Sequence, residues 1–183
     1  MREIYVDGAC KGNPGPGGFG VVILEDIPNW EISRSEKPPQ RQEIFYAYKE
    51  HCVETTNNRE ELKAIIHAFD LALKYFRFET CIIYTDSAYC ANICNNWIRT
   101  WAKNNWKNSK KETVENLDLV QTIYKYLNAD FFNCQVAKTP GHSGILGNEL
   151  ADALASDNVK KMTRLIKENN LKIEIKNDII FIE

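Results

Sequence analysis

Apolar residues recur with two different periods along this chain, and the alternation between them lays out the elements. The opening EIYVDGAC alternates as a strand does, and the glycine-rich KGNPGPGGFG turns the chain into a second apolar run at residues 19–24, predicting a hairpin. Residues 25–42 are polar with three prolines, so a long loop is expected, and 43–53 alternate loosely with aromatics as a third antiparallel strand would. Thr56-Asn57-Asn58-Arg59 then supplies helix-capping chemistry before Leu62, Ile65, Ile66, Phe69, Leu73 and Phe76, which fall on one helical face. Residues 81–85 form a short apolar run between helical stretches, expected as a strand covered on both faces, after which Asp86-Ser87 can cap another helix. A polar, Trp-rich helix over 87–103, an amphipathic helix over 117–127, a strand over 133–138 and a last helix from about 146 to 156 complete the order β-β-β-α-β-α-α-β-α. Antiparallel strands followed by parallel ones predict an α/β fold with helices on both sides of a mixed sheet. The remaining KIEIKNDIIFIE reads as a terminal hairpin around Asn177-Asp178.

Composition narrows this picture. At 183 residues and 44% hydrophobic content, one domain with its own core is expected, and no apolar run approaches the roughly 20 residues of a membrane span. The opening residues enter the strand pattern without a leader-like stretch, so the expectation is a soluble, cytoplasmic protein. Six cysteines without a CxxC pair speak against a zinc site and for reduced thiols. The net charge of −2 carries no general attraction for polyanions, but residues 97–111 hold three tryptophans, five Lys/Arg and no acid.

Four carboxylates stand out. Asp7 lies inside the first strand, where acids are disfavoured, and Asp86 follows the buried run 81–85, at the carboxyl end where open α/β sheets place ligands. Glu61 shares a helix face with Ile65, Ala68 and Phe69, beside the buried stripe. Glu60 shares one with Lys63, Ala64 and His67, which suits a solvated charge. Asp152 sits in NELADALA near the face marked by Leu146, Leu150 and Leu154. Each has an ordinary alternative: an edge-strand acid for Asp7, a helix-dipole acid for Glu61, an N-cap for Asp86 and a surface acid for Asp152. Taken jointly they suit a hard divalent cation, which removes the repulsion that converging carboxylates suffer.

The segments YVDGAC-KGNPGPGGFG, TTNNREEL, YTDSAY, the NW…WKNSKK…ENLDLV stretch and GHSGILGNELAD together resemble ribonuclease H type 1 over roughly residues 1–157. The resemblance implies that fold, with a five-stranded mixed sheet (three antiparallel strands, then two parallel), a catalytic domain over 1–157, and 158–183 as an extension rather than a second domain. It implies an endonuclease that hydrolyses the RNA strand of RNA–DNA hybrids with two Mg²⁺ ions, Mn²⁺ substituting, leaving 5′-phosphate and 3′-hydroxyl ends. Asp7 resembles the acid bridging both ions, Glu61 and Asp86 those beside the leaving group, and Asp152 the one on the nucleophile side. His142 matches a histidine tied to water positioning or product release, and Glu149 a further acid near the nucleophile-side ion.

On the substrate side, Cys10, Gly12, Asn13 and Asn58 match RNA-contacting positions, which must sense a 2′-hydroxyl. Trp97, Trp101, Trp106 and Lys107 resemble a basic protrusion that grips the DNA strand, and Thr56, Asn57 and Asn116 positions around a DNA-phosphate pocket. The alternative for the tryptophans is inward packing with solvated lysines outside. Glu54, where several relatives carry arginine, and Ala88, where bacterial members often carry glutamine, depart from the pattern. The family's optional N-terminal hybrid-binding module is expected to be missing, and a monomer is expected. Two competing readings are a non-catalytic hybrid-binding domain and a DNA-processing nuclease on the same fold.

Overall fold

A computed structural model describes residues 1–26, 42–77, 79–129 and 133–173. Three antiparallel strands come first, β1 (Arg2–Cys10), β2 (Gly15–Asp26) and β3 (Gln42–Thr55). Helix α1 (Asn57–Tyr75) leads to β4 (Cys81–Thr85), which pairs parallel with β1 on one edge and with β5 (Cys134–Lys138) on the other. The five expected strands thus stand in the order β5-β4-β1-β2-β3. A sixth, β6 (Lys172–Ile173), lies parallel to β3 at the edge; the rest of the expected terminal hairpin falls outside the described residues, as does 27–41 of the long loop.

Between β4 and β5 the chain forms α2 (Ala88–Asn92), a π-helical turn (Ile93–Trp97), α3 (Ile98–Lys103) and α4 (Leu117–Leu127). The expected single helix over 87–103 is therefore interrupted. After β5 come α5 (Leu146–Ala155) and α6 (Val159–Glu168). The extension after residue 157, expected to hold a helix end and a hairpin, thus contains a separate helix of its own. Its start is set by Asn158, whose side chain accepts from the Lys161 N–H.

Alternation along β1 sorts the core into two layers. Ile4 and Val6 face α1 and the α2–α4 segment, joined there by Leu62, Ile65, Phe69, Ile93, Ile98 and Ile123. On the other face Val22 and Ala47 meet Leu150, Ala151 and Leu154 of α5, and α6 adds Met162. In β4, Cys81, Ile83 and Thr85 are buried while Ile82 and Tyr84 are half-buried, so this strand is less fully covered on its α5 side than expected. Two glycines permit the close approach of the layers: a Cβ on Gly8 would lie 2.3 Å from the Glu61 backbone nitrogen, and one on Gly20 2.3 Å from the Ala151 carbonyl. Among the described residues no helix is long and apolar enough to cross a membrane.

Candidate active site

The sheet register brings the first two acids together. Val6 of β1 pairs in parallel with Thr85 of β4, so Asp7 and Asp86 leave adjacent strands at the same level. The contact at Gly8 seats the first turn of α1 against β1 and delivers Glu61 to the same spot. Thr56 caps this helix by accepting from the Arg59 N–H, and Thr85 donates from Oγ1 to Glu61 Oε2 at 3.4 Å. Ser87, not Asp86, caps α2, which leaves the Asp86 carboxylate available and removes its ordinary alternative. Oxygens of Asp7, Glu61 and Asp86 lie within 4.8 Å of one another.

A second group sits alongside. The loop after β5 leaves the sheet next to β4, with the Thr139 N–H donating to the Thr85 carbonyl, and carries exposed His142 at a φ of 47°. Donor atoms of His142, Glu149 and Asp152 also lie within 4.8 Å of one another. Glu149 accepts from the Gly144 N–H at 3.4 Å, which ties α5 to that loop.

Electrostatics show the strain of this convergence. Burial first, then the charges of Asp86 and Asp152, push the Asp7 carboxyl up to about 8, and burial together with Asp7 and Asp86 raises Glu61 well above the carboxylate range. Asp7 is 7% exposed and Glu61 4%. A purely apolar role does not account for buried like charges held this close, whereas hard oxygen donors in this number suit a divalent cation of the magnesium type. Asp7 interacts with members of both groups and so stands at their junction.

The family model for RNase H matches residues 2–160. A ribonuclease H from Caldicellulosiruptor saccharolyticus is 41% identical over 88% of this chain and 99% of its own length. The chain belongs to the ribonuclease H family. Among solved structures, LC9-RNase H1, a type 1 RNase H with the type 2 active-site motif, superposes with a TM-score of 0.69 at 24% identity, over 94% of this chain and 86% of that one. LC11-RNase H1, solved in complex with RNA/DNA hybrid, gives 0.55 at 21% identity, over 89% and 99% respectively. These two establish the fold, and the family is one of hydrolytic endoribonucleases.

Positions singled out for the family's substrate gather where the start of α1 and the β1–β2 turn meet solvent, and along the stretch from Trp97 to Asn116. Asn13 accepts from the Asn57 N–H at 3.2 Å, docking the Gly12-Asn13 turn on the start of α1 near Asn58. Cys10 directs its thiol to the Gly15 and Thr55 carbonyls. Asn116, in the left-handed region, contacts Arg59 Nη1 and the Tyr89 hydroxyl, and Arg59 also holds Asp118, so the starts of α1 and α4 are linked. Past α3 the basic stretch is a folded loop: Lys107 bridges to Thr113, and Asn108 accepts from the Lys110 and Glu112 N–H groups. Its tryptophans divide the two readings. Trp97 is 38% exposed, while Trp101 and Trp106 are half-buried against the core, Trp106 edge-on to Tyr124. Glu54 and Ala88 are both exposed.

Three participants went unseen in the sequence. Asn148, 2% exposed, donates to Asp86 Oδ2 at 3.4 Å. Lys161 of α6 contacts both Glu149 and Asp152. Glu60, expected as a solvated charge, is fully buried: the Thr55 hydroxyl and Lys63 ammonium contact its Oε1 at 2.6 and 2.8 Å. The end of β3 roofs the first turn of α1, which widens its buried face beyond the stripe that periodicity marks. Asn148 adjoins Glu149 in the NELAD motif, the one signal that could have drawn attention to it.

Proposed function

We propose that the chain is an endonuclease that hydrolyses the RNA strand of RNA–DNA hybrids with two divalent ions, Mg²⁺ or Mn²⁺, producing 5′-phosphate and 3′-hydroxyl ends. The observation that carries the reading is the pair of adjacent donor groups joined at Asp7. Asp7, Glu61 and Asp86 would hold one ion; Asp7 and Asp152, with Glu149 and His142 beside them, would hold the other. When bound, such a pair activates a water and stabilises the departing 3′ oxygen.

The remaining work falls to the chain's own groups. Asn148 and Thr85 orient Asp86 and Glu61 through hydrogen bonds that fix which oxygens face the cleft. His142, on its exposed loop, is placed to steer water or product at the second group. Cys10, Gly12, Asn13 and Asn58 offer backbone and amide groups to a 2′-hydroxyl, which distinguishes RNA from DNA at this position. Trp97, exposed, and Lys107 present a stacking face and a cation to the paired DNA strand, with Thr56, Asn57 and Asn116 near its phosphates. The unit that acts is the catalytic domain over 1–157 with the extension packed on it through α6, as a monomer in the cytoplasm.

The presence of all four acids favours an enzyme over a non-catalytic hybrid binder, and the amides near the β1–β2 turn favour hybrid over duplex DNA. A strand-labelled cleavage assay on RNA–DNA, RNA–RNA and DNA–DNA duplexes tests this. Cleavage confined to the RNA of the hybrid and dependent on Mg²⁺ is expected; cleavage of DNA duplex, or none with any substrate, would overturn it.

A further inference from the structure

Helix α6 begins at Val159, at the very end of the stretch that the family model matches, and it reaches into the site. Lys161 places its ammonium 2.5 Å from Glu149 Oε2 and 2.5 Å from Asp152 Oδ2, on two of the three donors of the second group. The three side chains are mostly enclosed, at 16% exposure for Lys161, 14% for Glu149 and 22% for Asp152. The lysine is also held from behind. Its own N–H is bonded to the Asn158 cap, and the next residue, Met162, is 4% exposed in the core that α6 shares with α5. No equivalent cation touches Asp7, Glu61 or Asp86 among the described contacts.

We infer that Lys161 is a positioning residue that competes with the nucleophile-side divalent ion for Glu149 and Asp152. It supplies a tethered single positive charge to two of the three donors of the second group. An incoming divalent ion must either displace the ammonium or bind beside a like charge, and both lower its affinity. The first donor group meets no such competitor. The two ions therefore bind with unequal strength, and the weaker one is the one at Asp152. This inference rests on the two-ion reading above.

The test is calorimetric titration of the full chain with Mn²⁺, without nucleic acid, comparing wild type, Lys161→Gln and Lys161→Arg. Two binding steps of different affinity are expected in wild type. In Lys161→Gln the weaker step tightens on the order of tenfold, while Lys161→Arg, which keeps the charge, stays near wild type. An unchanged or weakened second step in Lys161→Gln overturns the inference while leaving the two-ion reading intact. A wild-type chain that shows no divalent-dependent cleavage of hybrid overturns that reading and this inference with it. Should Lys161→Gln fail to fold, ¹⁵N spectra of the wild-type Lys161 ammonium during Mg²⁺ titration decide: a signal that moves with the weaker step supports competition, and one that stays fixed refutes it.

Discussion

Burial first, and then the charges of Asp86 and Asp152, together lift the Asp7 carboxyl from 3.8 to about 8. Between those values the native state keeps a proton that the unfolded chain has lost. Stability of the ion-free protein therefore falls as pH rises through that window and levels off above it. Asp7→Asn removes the penalty, so in EDTA the variant should melt above wild type at pH 8, by a margin that shrinks as pH falls toward 4. Calorimetric melts at the two pH values check this. The same change should lower Mg²⁺-dependent cleavage by about two orders of magnitude or more, measured as kcat, while hybrid binding survives. Glu60 is buried too, with two partners on its Oε1. Glu60→Ala strands the Thr55 hydroxyl and the Lys63 ammonium and should cost about 1–3 kcal/mol in urea unfolding.

At the scale of elements, α6 matters more than its polar composition suggested. Met162 is its buried anchor, with Leu165 and Ile166 packed alongside, so Met162→Ala should destabilise the fold by about 2–4 kcal/mol in urea. That helix was written in the sequence, through the Asn158 cap and the spacing of Met162, Leu165 and Ile166. A single narrow stripe amid five charges did not announce it. The strands, α1 and α5 were legible because their apolar periods are long and their turns carry Gly, Pro or capping residues. The π-helical turn at Ile93–Trp97 was not, since a one-residue widening leaves no period to read. The four acids and His142 were legible as motif positions. Asn148 and Lys161 were not, because their roles depend on which carboxylate the tertiary structure places in reach.

Across the whole molecule, charge is distributed by region rather than by total. The net charge is −2, yet the folded loop following α3 exposes Lys107, Lys110 and Lys111 together. Lys107→Ala should weaken hybrid binding and flatten the logarithmic dependence of affinity on salt by about one unit, as measured by fluorescence anisotropy across a salt series. That charge lies in the connection between α3 and α4, whereas the four acids are carried by β1, α1, the end of β4 and α5.

The place of β1 in the middle of the sheet has a consequence for folding. Its partner β2 follows it directly in the chain, whereas its other partner β4 and the helix bearing Asp152 come much later, so one side of β1 is paired long before the other. A folding intermediate built on the first hairpin alone therefore leaves Asp7 without the carboxylates that converge on it, and both donor groups are complete only once β4 and α5 have docked.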